Sequence, residues 1–172
     1  MTASVSIVFS DISKELKARA GEEENSSNII RNRLKLVFFV KQGMDSFIKD
    51  IIKGLSEEYE IKKIIVTVYG QIDEGMEWAD ICWFEWCDEL IEYGSKLELA
   101  KKKIIICRLH SYEAFTDYIQ NVCWDNVDKV IFVGEHIKDI VLRKVDKYNQ
   151  LSFEDLIIKQ SAQAKISFGS FT

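Results

Sequence analysis

From Leu34 onward the chain alternates between two kinds of stretch. Continuous apolar runs occur at LKLVFFV (34–40), IKKIIVTVYG (61–70), the ICWF core of DICWFEWCDEL (81–84), KIIICRL (103–109) and VDKVIFV (127–133). Each is short and rich in Ile, Val and Phe, as expected of strands buried on both faces. Between them lie stretches with apolar residues at helical spacing. In SFIKDIIKGL these are Phe47, Ile48, Ile51, Ile52 and Leu55, with Asp45 or Ser46 placed to cap. IDEGMEWA (72–79) predicts a short helix, and ELIEYGSKLELAKK (89–102) carries Leu90, Tyr93, Leu97 and Ala100 on one stripe. Further helices are predicted near Tyr112–Val122 and from the turn at Gly134 and Glu135 to about Val145. Strands alternating with helices through short connections predict an α/β fold. Its core is a Rossmann-like parallel sheet of about five or six strands, with right-handed crossovers and helices on both faces.

The flanks read differently. Residues 1–32 divide into a short apolar start (Val5, Ile7, Val8, Phe9), a helix over Asp11–Ala20 and the polar run GEEENSSN, which has a linker's composition. They are expected to be an amino-terminal appendage and linker, with the folded domain over 33–145. Residues 146–172 form a tail in which LSFEDLIIKQ (151–160) predicts a helix packing back on the sheet. Proline is absent, so periodicity alone sets the predicted boundaries.

Composition narrows the function classes. A length of 172 residues, 47% hydrophobic, suits one domain with a sizeable core. The net charge of -5 argues against a nucleic-acid surface, which needs a surplus of Lys and Arg on one face. Cys82, Cys87, Cys107 and Cys123 lie in apolar or aromatic runs without CxxC spacing, and read as buried hydrophobes in a reducing compartment rather than zinc ligands or disulfides. No apolar stretch approaches the ~20 residues that span a bilayer, and no leader pattern opens the chain, so the expected location is cytoplasmic with no transmembrane segment.

Candidate chemistry gathers where the strands end. Ile104–Cys107 gives way to Arg108, His110, Tyr112 and Glu113, and the third strand ends in Glu85, Trp86 and Asp88. In open parallel sheets ligands bind outside the carboxyl ends of the strands, so Glu85, His110, Glu113, Glu135 and His136 are expected to converge on one rim. Blander readings stand beside these. Arg108 and Glu113 also suit an ion pair closing a loop, Gly43 suits a tight turn, and His136 suits an exposed helix start.

The series KLVFFVKQGMDSFIKDIIKGL, WADICWFEWCDEL, IIICRLHSYEAF and VDKVIFVGEHIKDIV resembles, over residues 33–145, the amino-terminal domain of bacterial GT-B glycosyltransferases of the group 1 type. That family orders a first strand, a glycine-bearing loop, a strand ending near an acidic or aromatic pair, an R-x-H strand end and a final strand and helix in the same way. The resemblance implies a single GT-B-type half that binds the acceptor, a glycan or lipid-linked glycan, while a second Rossmann-like domain binds the nucleotide sugar. On the matching positions it implies that His110 faces the cleft as the catalytic group. Glu85 and Trp86 would line the acceptor side, and the Gly43 loop would approach the donor's phosphates; Arg108, Glu113 and Glu135 are expected to bind substrate from their place at the strand ends. No cofactor is implied and no metal ligated by this domain. After Val145 no Asn-Gly linker and no donor-binding domain follow, so the chain is expected to need a donor-binding partner for catalysis.

Two other classes are open. One is a non-catalytic interaction module, which an exposed patch around Trp83, Trp86 and Trp124 would favour. The other is another small nucleotide-binding α/β protein, disfavoured because GxGxxG, GxxxxGK and GxSxG are all missing.

Overall fold

The computed structural model describes residues 33–145. Five strands, β1 (Lys35–Val40), β2 (Glu60–Ile65), β3 (Ile81–Phe84), β4 (Ile104–Leu109) and β5 (Lys129–Phe132), form one sheet in the order β2-β1-β3-β4-β5. Every pairing is parallel, for example Phe38 opposite Trp83 in β1 and β3, and Cys107 opposite Val130 in β4 and β5. The predicted α/β parallel sheet is therefore present, with five strands.

The helices are α1 (Lys49–Leu55), α2 (Gly70–Trp78), α3 (Glu89–Gly94), α4 (Tyr118–Asn121) and α5 (Glu135–Val145), with 3-10 turns at Ser46–Ile48, Glu98–Lys102, Glu113–Phe115 and Trp124–Asn126. The chain moves from β1 outward to β2, then crosses back past β1 to β3 and continues to β5. Right-handed crossovers require the first helix on one face and the rest on the other. Two core clusters show this division. One face holds Val37, Phe39, Cys82, Phe84, Ile105, Cys107 and Val130 with Ile72, Ile91, Ile119 and Ile137 of α2 to α5. The opposite face holds Leu36, Phe38, Ile81, Trp83, Ile104, Ile106 and Ile131 with Ile48 and Leu55.

Two aspartates register the amino-terminal edge. Asp80, before β3, accepts the Lys35 N–H at 2.9 Å, and Asp128, before β5, accepts the Ile105 N–H at 2.8 Å. Each satisfies a donor at a strand start that the ladder leaves open. Close approach is enforced at Gly75 in α2, where a Cβ would sit 2.6 Å from the Phe39 ring.

Several predicted boundaries move. β2 ends at Ile65, with one further ladder bond from Val66 N–H to the Val40 carbonyl, rather than running to Gly70. Gln71 Oε1 takes the Thr67 and Val68 N–H groups at 2.7 and 3.2 Å, turning that apolar stretch into the start of α2. The single helix predicted over 89–102 is broken after Gly94. There the ring of Phe84 approaches to 2.4 Å of the position a Cβ would take, and Ser95 Oγ accepts the Cys123 N–H at 3.0 Å. The helix predicted near Tyr112–Val122 divides into the 3-10 turn Glu113–Phe115 and α4. Residues 1–32 and 146–172, including the helices predicted at Asp11–Ala20 and 151–160, lie outside the described residues.

Candidate functional site

The strand order reverses between β1 and β3, so the carboxyl ends of β1, β3 and β4 form the crevice in which such sheets bind ligands. The residues just past those ends are Lys41–Asp45, Glu85–Glu89 and His110–Glu113.

Glu85 is the hub. Its carboxylate is fully buried and gathers three donors. Trp83 Nε1 donates to Oε2 at 2.9 Å and Arg108 Nη1 donates to Oε1 at 2.9 Å, while His110 Nε2 lies 3.2 Å from the same Oε1. Strand periodicity explains the grouping. Trp83, Glu85 and Arg108 fall on one side of β3 and β4, and registration of Phe84 with Cys107 brings the two strand ends level. A buried carboxylate needs this much compensation. Arg108 thus pairs with Glu85 rather than with Glu113, which corrects the loop-closing ion pair. Glu85 itself is fully buried beneath the rim and presents no carboxylate at the surface; it holds Arg108 and His110 in place.

Trp86 stacks on His110, with ring centroids 3.8 Å apart and planes 20° from parallel, and Tyr112 lies 5.6 Å from Trp86. The indole N–H donates to the Met44 carbonyl at 3.0 Å, which ties the β3 end to the turn after β1. That turn closes through the Met44 N–H to the Lys41 carbonyl at 3.1 Å and carries Gly43 at φ 77°, a conformation that favours glycine. No atom lies within 4 Å of a Cβ built on Gly43, so its backbone conformation is what calls for glycine. Its neighbour's bond to Trp86 places the loop in the same cluster.

Glu113 is also fully buried, so it does not offer a surface for substrate, contrary to its reading as a binding residue. Its Oε1 accepts the Cys87 N–H at 3.1 Å, joining the β4–α4 loop to the β3–α3 loop, and Oε2 has no hydrogen-bond partner. Burial raises its pKa above the ordinary carboxylate value, against the pull of backbone N–H groups and His110. A raised pKa suits a carboxyl that retains its proton more readily than an exposed one.

Beside it, Asp88 caps α3 through the Leu90 N–H at 2.9 Å and lies 3.0 Å from Lys41 Nζ, which also pairs with Glu89. Burial raises the Asp88 pKa, opposed by the Leu90 N–H and Lys41. For Lys41, burial acts to lower the pKa, but the bonds to Glu89 and Asp88 outweigh it and the net shift is upward. Of this trio at the β1–β3 crevice, the sequence pattern singles out Asp88 past the third strand but not Lys41 or Glu89, although Lys41 follows β1 directly. Position relative to the switch point is the signal that marks them.

Glu135 stands apart. It is 63% exposed at the start of α5 and pairs with Lys138 at 3.0 Å on its own helix, so it does not join Glu85 and His110. His136 is exposed on the same turn, as the blander reading held. Cys82, Cys87 and Cys107 are buried free thiols and Cys123 is half-buried. Burial pushes the Cys82 thiol up to about 12. Among the described residues no group of three His, Cys, Asp or Glu could hold a metal ion, and no helix is long and apolar enough to cross a membrane.

Comparison of the chain with protein-family models, with curated proteins and with solved structures finds no match.

Proposed function

We propose that residues 33–145 are the acceptor-side half of a GT-B-type glycosyltransferase, completed by a donor-binding domain that supplies the nucleotide sugar. The observation that carries this reading is the orientation of His110, held between the buried Glu85 carboxylate and the Trp86 ring at the carboxyl rim. A histidine fixed on one side by a carboxylate is suited to general-base work, because the carboxylate stabilises the imidazolium that forms. In the transfer the acceptor hydroxyl gives its proton to His110 and its oxygen bonds the sugar's anomeric carbon. The bond from that carbon to the nucleoside diphosphate breaks, and the diphosphate leaves with the electron pair. Tyr112, 46% exposed beside Trp86, offers a flat ring face to a sugar, and Arg108 screens Glu85.

A second reading, a non-catalytic interaction module, draws on a different observation. Ile65, Val68, Tyr69, Tyr112, Phe115 and Val133, the exposed large hydrophobics among the described residues, all lie at or just beyond carboxyl strand ends. Such a rim suits burial against another domain. The tryptophan patch that would favour this reading is not formed, because Trp83 and Trp124 are buried.

Titrating the full chain with nucleotide sugars and with a panel of neutral glycans, followed by calorimetry, separates these. The acceptor-half reading expects glycan binding that is lost in His110→Ala with the fold unchanged, and weak or no nucleotide-sugar binding. Tight nucleotide-sugar binding by this chain alone overturns it, and binding of neither, or glycan binding unchanged by His110→Ala, favours the interaction module.

A further inference from the structure

The sheet has two outer strands, and β2 is one of them. β1 pairs with it through an unbroken register of six residues, and among the described residues no strand lies on its other side. Which groups face outward follows from the ladder. The Glu60 N–H donates to the Leu34 carbonyl at 2.9 Å, and the Val66 N–H donates to the Val40 carbonyl at 2.8 Å. Peptide groups alternate in direction along a strand, so Glu60, Lys62 and Ile64 bond β1. Ile61, Lys63 and Ile65 therefore turn their N–H and carbonyl groups away from the sheet, along a strand ~20 Å long. Glu60, Lys62 and Lys63 are exposed and Ile65 is 40% exposed, so this edge is open to solvent. Such a row of groups is a template for another strand.

The side chains define which strand fits. Ile61, Lys63 and Ile65 stand beside Leu36, Phe38 and Val40, on the face that carries α1. There a groove of about 510 Å³, with Lys49, Ile52, Tyr59, Ile61 and Lys63 in its lining, is large enough to take apolar side chains. Lys62 lies on the other face, its Nζ 4.0 Å from the centre of the Trp78 ring. The edge thus sets two adjacent cations between Ile61 on one side and Ile64 and Ile65 on the other, and apolar surface continues to Val68, which is 64% exposed. Lys63 pairs with Asp45 at 2.7 Å, an exposed contact that a second carboxylate can join or replace. A second copy of the chain does not suit this edge. Antiparallel pairing with full overlap sets Lys62 against Lys63 of the copy twice, and like charges directly opposite each other are destabilising.

We propose that the outer edge of β2 is a binding site for an extended acidic segment of a protein partner, which adds to the sheet as a sixth strand. Its backbone bonds Ile61, Lys63 and Ile65, its two central carboxylates face Lys62 and Lys63, and its flanking apolar residues cover Ile61, Ile64 and Ile65. Glu60, at the start of the strand, confines the acidic requirement to the centre. The site is on the side of the sheet, with β1 between it and β3, and it does not rest on the glycosyltransferase reading.

The test uses the full chain and two fluorescein-labelled peptides, SVVEEVVS and SVVKKVVS, whose palindromic cores fit the edge in either direction. Anisotropy titration is expected to show saturable binding of the acidic peptide and at least ~10-fold weaker binding of the lysine peptide. Lys63→Pro removes an outward N–H without touching the ladder to β1, and is expected to abolish binding. Lys63→Gln, which loses the same charge but keeps the N–H, is expected to weaken it only about threefold. Should Lys63→Pro fail to fold, amide exchange of the wild-type chain gives the second readout. The acidic peptide is expected to slow exchange at Ile61, Lys63 and Ile65. No saturable binding up to about 1 mM, equal affinity for the two peptides, equal binding by Lys63→Pro and Lys63→Gln, or unchanged exchange at those three amides each overturns the proposal. Sedimentation that shows a dimer dissociated by Lys63→Pro also overturns it, by assigning the edge to a second copy.

Discussion

Two buried carboxylates near the rim are held in opposite ways. Glu85 is met by the donors of Trp83, Arg108 and His110, whereas Glu113 has one oxygen bonded and one without a partner. Removing the first leaves a guanidinium half-shielded from water without its counter-charge. Glu85→Ala should cost about 3 kcal/mol in urea unfolding, and a cost below about 1 kcal/mol would mean the hub contributes little. The second carries a proton linkage. With its pKa raised in the folded state, Glu113 binds its proton more tightly when folded, so stability is lost as pH rises above 4.5, its ordinary value, through the folded value. Stability curves of wild type and Glu113→Gln should therefore diverge in that window, the variant losing less as pH rises. Parallel curves would show that burial leaves the pKa of this carboxyl where it is in the unfolded chain.

Among the elements, the turn after β1 is the one whose backbone is unusual and whose contacts reach the site. Gly43 at φ 77° shapes the turn that presents the Met44 carbonyl to Trp86. Gly43→Ala should lower stability by about 1 kcal/mol, and the change should appear as altered Trp86 emission rather than as loss of the sheet. No loss of stability would indicate that the turn relaxes to another form. The strands were legible in the sequence because runs such as LVFFV and KIIIC are apolar on both faces and end in polar residues. Helix ends were less so. VTVYG reads as strand, but its Thr67 and Val68 N–H groups are taken by the Gln71 side chain three and four residues on, a local bond that no periodicity displays. The break after Gly94 depends on where Phe84 rests, which is a property of the packed sheet.

For the whole molecule, the parallel sheet places its chemistry at one end. The sequence located Glu85, Trp86, Arg108, His110 and Glu113 at strand ends because a strand's end is a local pattern. It did not show depth, since depth depends on neighbouring strands. Hence Glu85 and Glu113 are found beneath the surface, Arg108 turns to the adjacent strand, and Glu135 stays with its own helix. Ile105 lies at the centre of this arrangement, fully buried and registered with Cys82. Ile105→Asp should abolish cooperative unfolding, because a charge there has no partner within the core. A soluble variant with a normal melt would contradict the register of β3 with β4.

The stacking of Trp86 on His110 gives the rim an optical reporter of its own geometry. The indole has one face covered by the imidazole at 3.8 Å and its N–H held by the Met44 carbonyl, so its emission depends on both neighbours. A ligand that displaced the imidazole or the turn after β1 would change what the indole touches, and its arrival could be followed by light alone, with no label attached.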